Sequence, residues 1–194
     1  MDLAVIATPA RTVPDICESC AEAGVGGLII ISAGFRETGE EGRVLEERIA
    51  AICKKYRIRV LGPNCMGVIR PNTGLNASFL KTRLEKGRIA FISQSGALGS
   101  AVLSWAADAH IGFSMFASMG SMVDVDFGDL INFLGEDPHT KSIMIYMESV
   151  GDARKFMSAA RGFARSKPII IIKPGRFNES ARAATSHTGS MAGD

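Results

Sequence analysis

The residues of this sequence best suited to chemistry are a histidine and a glutamate that follow separate apolar runs. His187 stands in a loop of small and hydroxyl residues, 183–190, which comes after the apolar run 168–172. Glu148 directly follows another apolar run, 143–147. Continuous β-branched runs are typical of buried parallel strands, and ligands of open α/β sheets bind beyond the carboxyl ends of such strands. We therefore predict that both side chains lie at one edge of a sheet.

A third stretch has the pattern of an anion-binding helix start. Ser95, Gly96 and Ala97 connect the apolar run 88–92 to a predicted helix over residues 96–109. A hydroxyl residue at the N-cap and a glycine in the first turn leave backbone N–H groups free at the positive end of the helix dipole. Such a turn predicts a binding site for an anion, most naturally phosphate.

Together the three stretches predict a phosphohistidine. A carboxylate that bonds one imidazole nitrogen fixes the tautomer and leaves the other nitrogen as a nucleophile, while the helix start holds a phosphoryl group in front of it. Taken singly, the same stretches also fit a surface histidine, a loop carboxylate that faces water and an ordinary capped helix.

Three aspartates suggest two further hypotheses, which we disfavour. Asp124, Asp126 and Asp129 resemble a metal-binding cluster, but their spacing lacks the glycine and distal glutamate of a calcium loop, which favours a solvated loop entering a helix. We therefore predict no metal site. A receiver domain phosphorylated on Asp124 or Asp126 is also disfavoured, because receiver acids lie at strand ends.

Composition excludes several classes of protein. The 194 residues are 46% hydrophobic and 22% charged, enough for one large or two small domains with apolar cores. A net charge of +2 indicates neither nucleic-acid binding nor a polybasic membrane surface. No apolar run is long enough for a membrane span, and there is no secretory signal. Four cysteines without a paired framework indicate reduced thiols in a cytoplasmic protein: Cys17, Cys20, Cys53 and Cys65.

Strand and helix patterns alternate along the chain, which predicts an α/β fold of two doubly wound parallel-sheet units. The first series has strands at 3–7, 27–32 and 57–61 and helices at 13–23 and 42–56. The second series has strands at 88–92, 113–118, 142–147 and 169–173 and helices at 96–109, 126–135 and 153–166. The irregular stretch 68–87 between them predicts a domain boundary, with domains over 1–80 and 87–194.

Four motifs give this chain a family resemblance. Residues 62–65 (GPNC), 93–98 (SQSGAL), 146–149 (YMES) and 186–189 (SHTG), in this order and spacing, resemble the NDP-forming acyl-CoA synthetases, which include ADP-forming acetyl-CoA synthetase and succinyl-CoA synthetase. The resemblance covers nearly the whole chain. It implies a partial Rossmann-like CoA-binding domain followed by a flavodoxin-like domain of the succinyl-CoA ligase type.

The resemblance implies an acid–thiol ligase that works through an acyl phosphate and a phosphohistidine. By motif, His187 resembles the phosphorylated histidine and Glu148 the carboxylate that orients it. Ser95, Gly96 and Ala97 resemble the helix start that holds the phosphoryl group. The residues that resemble the wall of the coenzyme A site are Thr8, Pro9, Ala10, Ser32, Gly34, Asn64 and Cys65, with Cys65 expected near the thiol end of the cofactor.

The resemblance also implies parts outside this sequence. A glycine-rich loop for the CoA phosphates is expected before Met1, and an ATP-grasp domain or subunit is expected to bind ADP or ATP with Mg²⁺. We expect acyl-CoA and phosphate as substrates and a homo- or hetero-oligomer. Ser121 stands where many relatives have asparagine, which bears on the acyl pocket.

A different class of function stays open as the alternative. The same pair of domains occurs fused to protein acetyltransferases, where it resembles an acyl-CoA-sensing regulatory module without ligase activity. The presence of both His187 and Glu148 favours the enzyme, because a purely regulatory copy is free to lose the nucleophile.

Overall fold

The computed structural model describes residues 1–174 and divides the chain into two compact units. The first unit consists of Met1–Gly67 together with the short segment Met119–Val125. The second unit begins at Val68 and takes in the rest of the described chain. Each unit has its own sheet, and parallel pairs predominate in both. The predicted α/β class is therefore confirmed.

The first unit has three parallel strands in the order β1-β2-β3, with a helix in each connection. Its elements are β1 Leu3–Ile6, α1 Val13–Glu22, β2 Gly27–Ile30, α2 Glu40–Tyr56 and β3 Arg59–Leu61. The central strand β2 is buried at Leu28, Ile29 and Ile30, which explains why it reads as one continuous apolar run.

The segment Met119–Val125 extends this sheet beyond β3. Backbone N–H groups of Ser121, Val123 and Val125 donate to carbonyls at positions 63, 62 and 60, at 2.9, 3.1 and 3.0 Å, so the segment runs antiparallel to β3. The carboxylate of Asp124 accepts from the Val60 N–H at 2.8 Å and from Arg59 Nε at 2.9 Å. The solvated loop predicted for Asp124 is therefore wrong, because this carboxylate is bonded to the edge of a sheet.

The second unit has a six-stranded sheet in the order β5-β4-β7-β6-β8-β9. Its elements are β4 Gly67–Arg70, β5 Leu75–Ser78, β6 Lys86–Ser93, α3 Gly96–Asp108, β7 Phe113–Ser118, α4 Phe127–Glu136, β8 Ser142–Tyr146, α5 Ala153–Phe163 and β9 Ile169–Ile172. The strands β7, β6, β8 and β9 pair in parallel and correspond to the four predicted strands.

The two remaining strands correct the prediction for residues 68–87. This stretch contains the short strands β4 and β5, and β4 pairs antiparallel with β7 through Val68 and Ile69. Each strand has only four residues, and a turn containing Pro71 and Gly74 separates them. Such short strands are stabilised by pairing with a distant strand, which local sequence patterns do not reveal.

Helix α3 packs on one face of the second sheet. A Cβ atom at Gly99 would lie 3.1 Å from Phe116 Cζ, so the absence of a side chain lets the helix approach β7 closely. Phe91 and Phe116 lie in this core with Leu103 and Ala106 of α3. The close fit fixes the position of the first turn of α3 at the carboxyl edge of the sheet.

No helix in residues 1–174 is both long and apolar enough to cross a bilayer.

Candidate functional site

The predicted phosphoryl-handling residues of the second unit follow two neighbouring strands. Strands β6 and β8 pair in parallel, and their last matched pair is Ser93 with Tyr146. Ser95 and Glu148 each come two residues after this pair, so both stand at the same carboxyl edge of the sheet. Both are partly buried. The structure thus brings together two of the three predicted parts.

The start of α3 has the properties of an anion site. Ser95 has an extended backbone, and its hydroxyl accepts a hydrogen bond from the Leu98 N–H at 3.4 Å, which caps the helix. Helix geometry gives the N–H groups of Gly96 and Ala97 no carbonyl acceptor within the helix. The first turn contains no acidic residue. The positive end of the helix dipole is therefore not neutralised by a side chain of that turn.

Sequence reasoning missed Gln94, which joins the two halves of this site. Its side-chain Oε1 accepts from the N–H groups of Glu148 at 2.8 Å and Ser149 at 3.0 Å, and its Nε2 donates to Ser149 Oγ at 2.8 Å. The available signal was a long polar side chain between the end of β6 and the N-cap residue. The rules for helix capping concern only the N-cap residue itself, here Ser95, and therefore do not single out Gln94.

The predicted nucleophile, His187, lies outside the described residues. The described chain reaches β9, which pairs with β8 through Tyr146 and Ile172, and the Met147 N–H donates to the Ile172 carbonyl at 3.0 Å. The strand that precedes the His187 loop in sequence is therefore the direct neighbour of the strand that ends at Glu148.

The aspartates at the start of α4 serve the helix. Asp126 and Asp129 form a capping box, in which each carboxylate accepts from the other residue's N–H, at 3.0 and 3.1 Å. Lys155 Nζ lies 3.2 and 2.5 Å from these carboxylates. The predicted helix N-terminus is confirmed. In the part of the chain that the structure describes, no three His, Cys, Asp or Glu residues are grouped to hold a metal ion.

In the first unit, hydrogen bonds connect the loops after all three strands. The Ser32 hydroxyl donates to the Thr8 carbonyl at 2.5 Å, and the Asn64 N–H donates to the Ser32 carbonyl at 2.9 Å. Pro9 precedes the 3₁₀ turn Ala10–Thr12. The predicted members of the cofactor wall on these loops are thus brought to one edge of the sheet.

Gly34 allows the first two loops to come close together. It has φ +106°, and a Cβ built there would lie 2.9 Å from the Cβ of Ala10. The Gly34 N–H donates to Glu37 Oε1 at 2.7 Å. An L-residue at this position would be strained by the backbone and would push the Ala10 turn away.

An ion pair that sequence reasoning missed, between a buried carboxylate and a half-exposed arginine, holds the turn after β2. Glu46 of α2 is 4% exposed and accepts from Arg36 Nε at 2.6 Å, from Arg36 Nη2 and from the Arg36 N–H at 3.4 Å. The available signal was helical periodicity, because Glu46 precedes Ile49 by three residues and Cys53 by seven and therefore shares the buried face of α2.

Cys65 is a buried thiol rather than an exposed nucleophile. It is 4% exposed, and its Sγ donates to the Ile30 carbonyl at 3.3 Å. Burial raises the pKa of the Cys65 thiol to about 12, so it is protonated at neutral pH. Its place near the thiol end of coenzyme A stays a prediction.

The buried thiols will make the fold sensitive to alkali. Burial raises the pKa of Cys17 to about 12, of Cys53 to about 11 and of Cys65 to about 12, from 9.0. Because the unfolded chain loses these protons first, the stabilisation is complete below pH 9 and is lost as pH rises towards 11–12. Each thiol contributes a decline of about 1.4 kcal/mol per pH unit to the free energy of unfolding.

Urea unfolding of wild type and Cys65→Ala, measured from about one pH unit below the unfolded thiol pKa to about 1.5 units above it, determines this contribution. We expect the variant to start less stable but to lose stability less steeply above pH 9. Equal slopes for the two proteins would contradict a protonated Cys65 in the folded state.

Two family models match the chain. The CoA binding domain matches residues 1–71, and the succinyl-CoA ligase like flavodoxin domain matches residues 86–194. The second match covers more than half of the chain.

Relatives of known activity are similar along the whole chain. The alpha subunit of ADP-forming acetate–CoA ligase I from Pyrococcus furiosus is 47% identical over 193 residues, and ADP-forming acetate–CoA ligase I from Archaeoglobus fulgidus is 45% identical over 193 residues. These alignments cover 100% of this chain but 42% and 28% of the relatives. The chain therefore spans less than half the length of either relative.

A solved structure has the same fold. The dinucleotide-forming acetyl-coenzyme A synthetase 1 of Ca. Korarchaeum cryptofilum, in complex with phosphate and ADP, gives a TM-score of 0.94 at 42% identity, over 100% of this chain and 42% of that one. With the matching family models and the strand-end loops described above, this similarity leads to one assignment. The chain belongs to the family of the succinyl-CoA ligase like flavodoxin domain, which here follows a CoA binding domain.

Proposed function

We propose that this chain is the CoA-binding and phosphohistidine-bearing part of an ADP-forming acid–thiol ligase of the cytoplasm. The observation that carries the proposal is the second unit's carboxyl edge, where an acid-free helix start and Glu148 follow adjacent strands. The similarity to ADP-forming acetate–CoA ligases along the whole chain supports it.

The proposed reaction consists of three balanced transfers. Phosphate oxygen attacks the thioester carbon of acyl-CoA, the C–S bond breaks, and coenzyme A leaves as the thiol after taking a proton. A ring nitrogen of His187 then attacks the phosphorus of the acyl phosphate, and the P–O bond to the acyl group breaks to release a carboxylate. Finally the β-phosphate of ADP attacks the phosphohistidine, the P–N bond breaks and ATP forms.

Within this scheme the described residues bind and orient. The N–H groups of Gly96 and Ala97 bind the phosphoryl oxygens, with Ser95 fixing the turn. Glu148 accepts from one imidazole nitrogen of His187 and leaves the other free for phosphorus. ADP or ATP with Mg²⁺ is held by an ATP-grasp domain or a partner subunit, which the partial coverage of the relatives and the separate alpha subunit of P. furiosus both suggest.

The loops of the first unit fit coenzyme A. They stand at the carboxyl edge of a parallel sheet, where such folds bind ligands. Their residues are small, and hydrogen bonds between loops hold them in place: Thr8, Ser32 and Asn64. Pro9 is exposed and Ala10 and Gly34 are partly exposed, so no large side chain at these three positions stands between the loops and a ligand. Cys65 is a buried, protonated thiol and supports the loop that contains Asn64.

Phosphorylation of His187 tests the proposal directly. The complete protein that contains this chain, as wild type and as His187→Asn, is incubated with Mg-ATP and separately with an acyl phosphate, and its peptides are mapped by mass. We expect an acid-labile phosphoryl group on the wild-type peptide that contains His187, and none on the variant. A wild type that binds acyl-CoA without becoming phosphorylated would instead favour the regulatory module.

A further inference from the structure

Gln94 uses every polar atom of its side chain on the loop that follows β8. Oε1 accepts from the N–H groups of Glu148 and Ser149, at 2.8 and 3.0 Å, and Nε2 donates to Ser149 Oγ at 2.8 Å. Only the carbonyl end of an amide can accept from two N–H groups, so this network determines the orientation of the amide. The Gln94 main-chain N–H also donates to the Tyr146 carbonyl at 3.0 Å.

These bonds determine the spacing between the two functional parts of the site. Gln94 directly precedes the N-cap residue Ser95, so its backbone is continuous with the first turn of α3. Through its amide the same residue holds the backbone of Glu148. A shift of the Glu148 backbone relative to α3 therefore stretches its N–H bond to Oε1 and the neighbouring bond from Ser149.

Because of these bonds, the backbone N–H groups at this edge of the sheet fall into two sets: those bonded to Gln94 and those free to bind an anion. The N–H groups of Glu148 and Ser149 are already bonded to Gln94 and are not available to an anion. The N–H groups of Gly96 and Ala97 have no acceptor within their helix. An amide is suited to the linking role because it satisfies both N–H groups without adding a negative charge near the phosphoryl group.

We infer that Gln94 is the positioning residue that sets Glu148 relative to the anion-binding start of α3. The inference rests on the proposed function, in which Glu148 orients His187 for phosphoryl transfer. Gln94 acts through Glu148 and does not contact the transferred group. Its removal therefore slows the transfer without changing the binding of coenzyme A by the first unit.

A double-mutant cycle tests this inference in the complete protein. The rate at which Mg-ATP phosphorylates His187 is measured by rapid quench for wild type, Gln94→Met, Glu148→Gln and the double variant, together with the affinity for coenzyme A. We expect Gln94→Met to be about 10²-fold slower, the cost of a displacement of about 1 Å at a reacting group. The double variant should be no slower than Glu148→Gln alone, because Gln94 acts only through Glu148.

Asn76 offers a matched control on β5. Its Oδ1 accepts from the N–H and the hydroxyl of Ser78, at 3.2 and 2.6 Å, so Asn76→Ala also removes an amide that holds a backbone N–H and a serine. We expect it to lower the thermal midpoint without slowing phosphorylation. Gln94→Asn keeps the amide but shortens the side chain by one methylene. If Gln94→Met does not fold, the double-mutant cycle is measured with Gln94→Asn in its place.

The possible results separate the two hypotheses. An unphosphorylated wild type would overturn the proposed function and this inference with it. A phosphorylated wild type with equally fast Gln94 variants would overturn the inference alone. So would rate losses that multiply in the double variant, or a loss in Asn76→Ala as large as in Gln94→Met, since either would indicate a general structural effect.

Discussion

Replacing Ala97 with aspartate will stabilise the folded chain and at the same time suppress phosphoryl transfer. Ala97 is exposed, it is the second residue of α3, and the first turn of this helix has no acidic residue. A carboxylate there interacts favourably with the helix dipole by about 0.3–1 kcal/mol. It also repels an incoming phosphoryl group by about 3 kcal/mol at roughly 5 Å and an effective dielectric constant of about 20. That energy corresponds to a loss of about a hundredfold in affinity or rate.

The neutral isostere Ala97→Asn is the control for size and polarity. In the complete protein, the phosphate dependence of acyl-CoA cleavage and the thermal midpoint are measured for wild type, Ala97→Asp and Ala97→Asn. We expect the loss of activity only in the aspartate variant, together with a midpoint equal to or above that of wild type. Equal activities of the aspartate and asparagine variants would place the anion away from the start of α3.

The parts of the fold that were predictable are those encoded in local apolar patterns. Leu28, Ile29 and Ile30 form a continuous apolar run because both faces of β2 are covered. The four parallel strands of the second sheet were also predicted from apolar runs, but the prediction of a buried strand is wrong for β9, an edge strand of the described sheet in which Ile170, Ile171 and Ile172 are exposed. The alternation with amphipathic helices then leaves a doubly wound sheet as the default.

The parts that were not predictable depend on partners distant in sequence. Strands β4 (GVIR) and β5 (LNAS) lack the longer apolar runs of the short strands β1, β2 and β9, so β4 is recognised only from its pairing with the distant strand β7. The segment Met119–Val125 has the sequence of a solvated loop. Only the hydrogen bonds of Asp124 to Arg59 and Val60 show that this segment extends a sheet.

In the candidate site, too, residues with a local sequence signal were predictable and residues with only distant contacts were not. The positions of Ser95 and Glu148 at one edge of the sheet were predictable because a residue that ends a strand or begins a helix has a recognisable local context. Gln94 has no such context, since its contacts lie 54 and 55 residues away in the chain. A residue whose contacts are all distant in sequence is therefore harder to predict than one at the end of a strand or the start of a helix.

Gly120→Ala will destabilise the first unit and weaken its binding of coenzyme A. Gly120 has φ +56°, and a Cβ built there would lie 1.9 Å from the Pro63 carbonyl oxygen and 2.7 Å from that of Asn64. The left-handed backbone costs an alanine about 1 kcal/mol. The clash with rigid backbone adds about 1–3 kcal/mol, the range found for overpacked interiors. Relief of the clash requires the loop that contains Asn64 to move.

Gly74→Ala separates the clash from the backbone strain. Gly74 has φ +73°, but nothing lies within 4 Å of a Cβ built there, so its substitution carries only the cost of a left-handed alanine. Urea unfolding and calorimetric titration with coenzyme A are compared for the two variants at a temperature where both are folded. We expect Gly120→Ala to lose more stability and to bind the cofactor more weakly, and Gly74→Ala to keep wild-type affinity. Equal losses of stability in the two variants would mean that the loop containing Asn64 moves without cost. If Gly120→Ala lost more stability but bound coenzyme A as tightly as wild type, Asn64 would not be part of the cofactor wall.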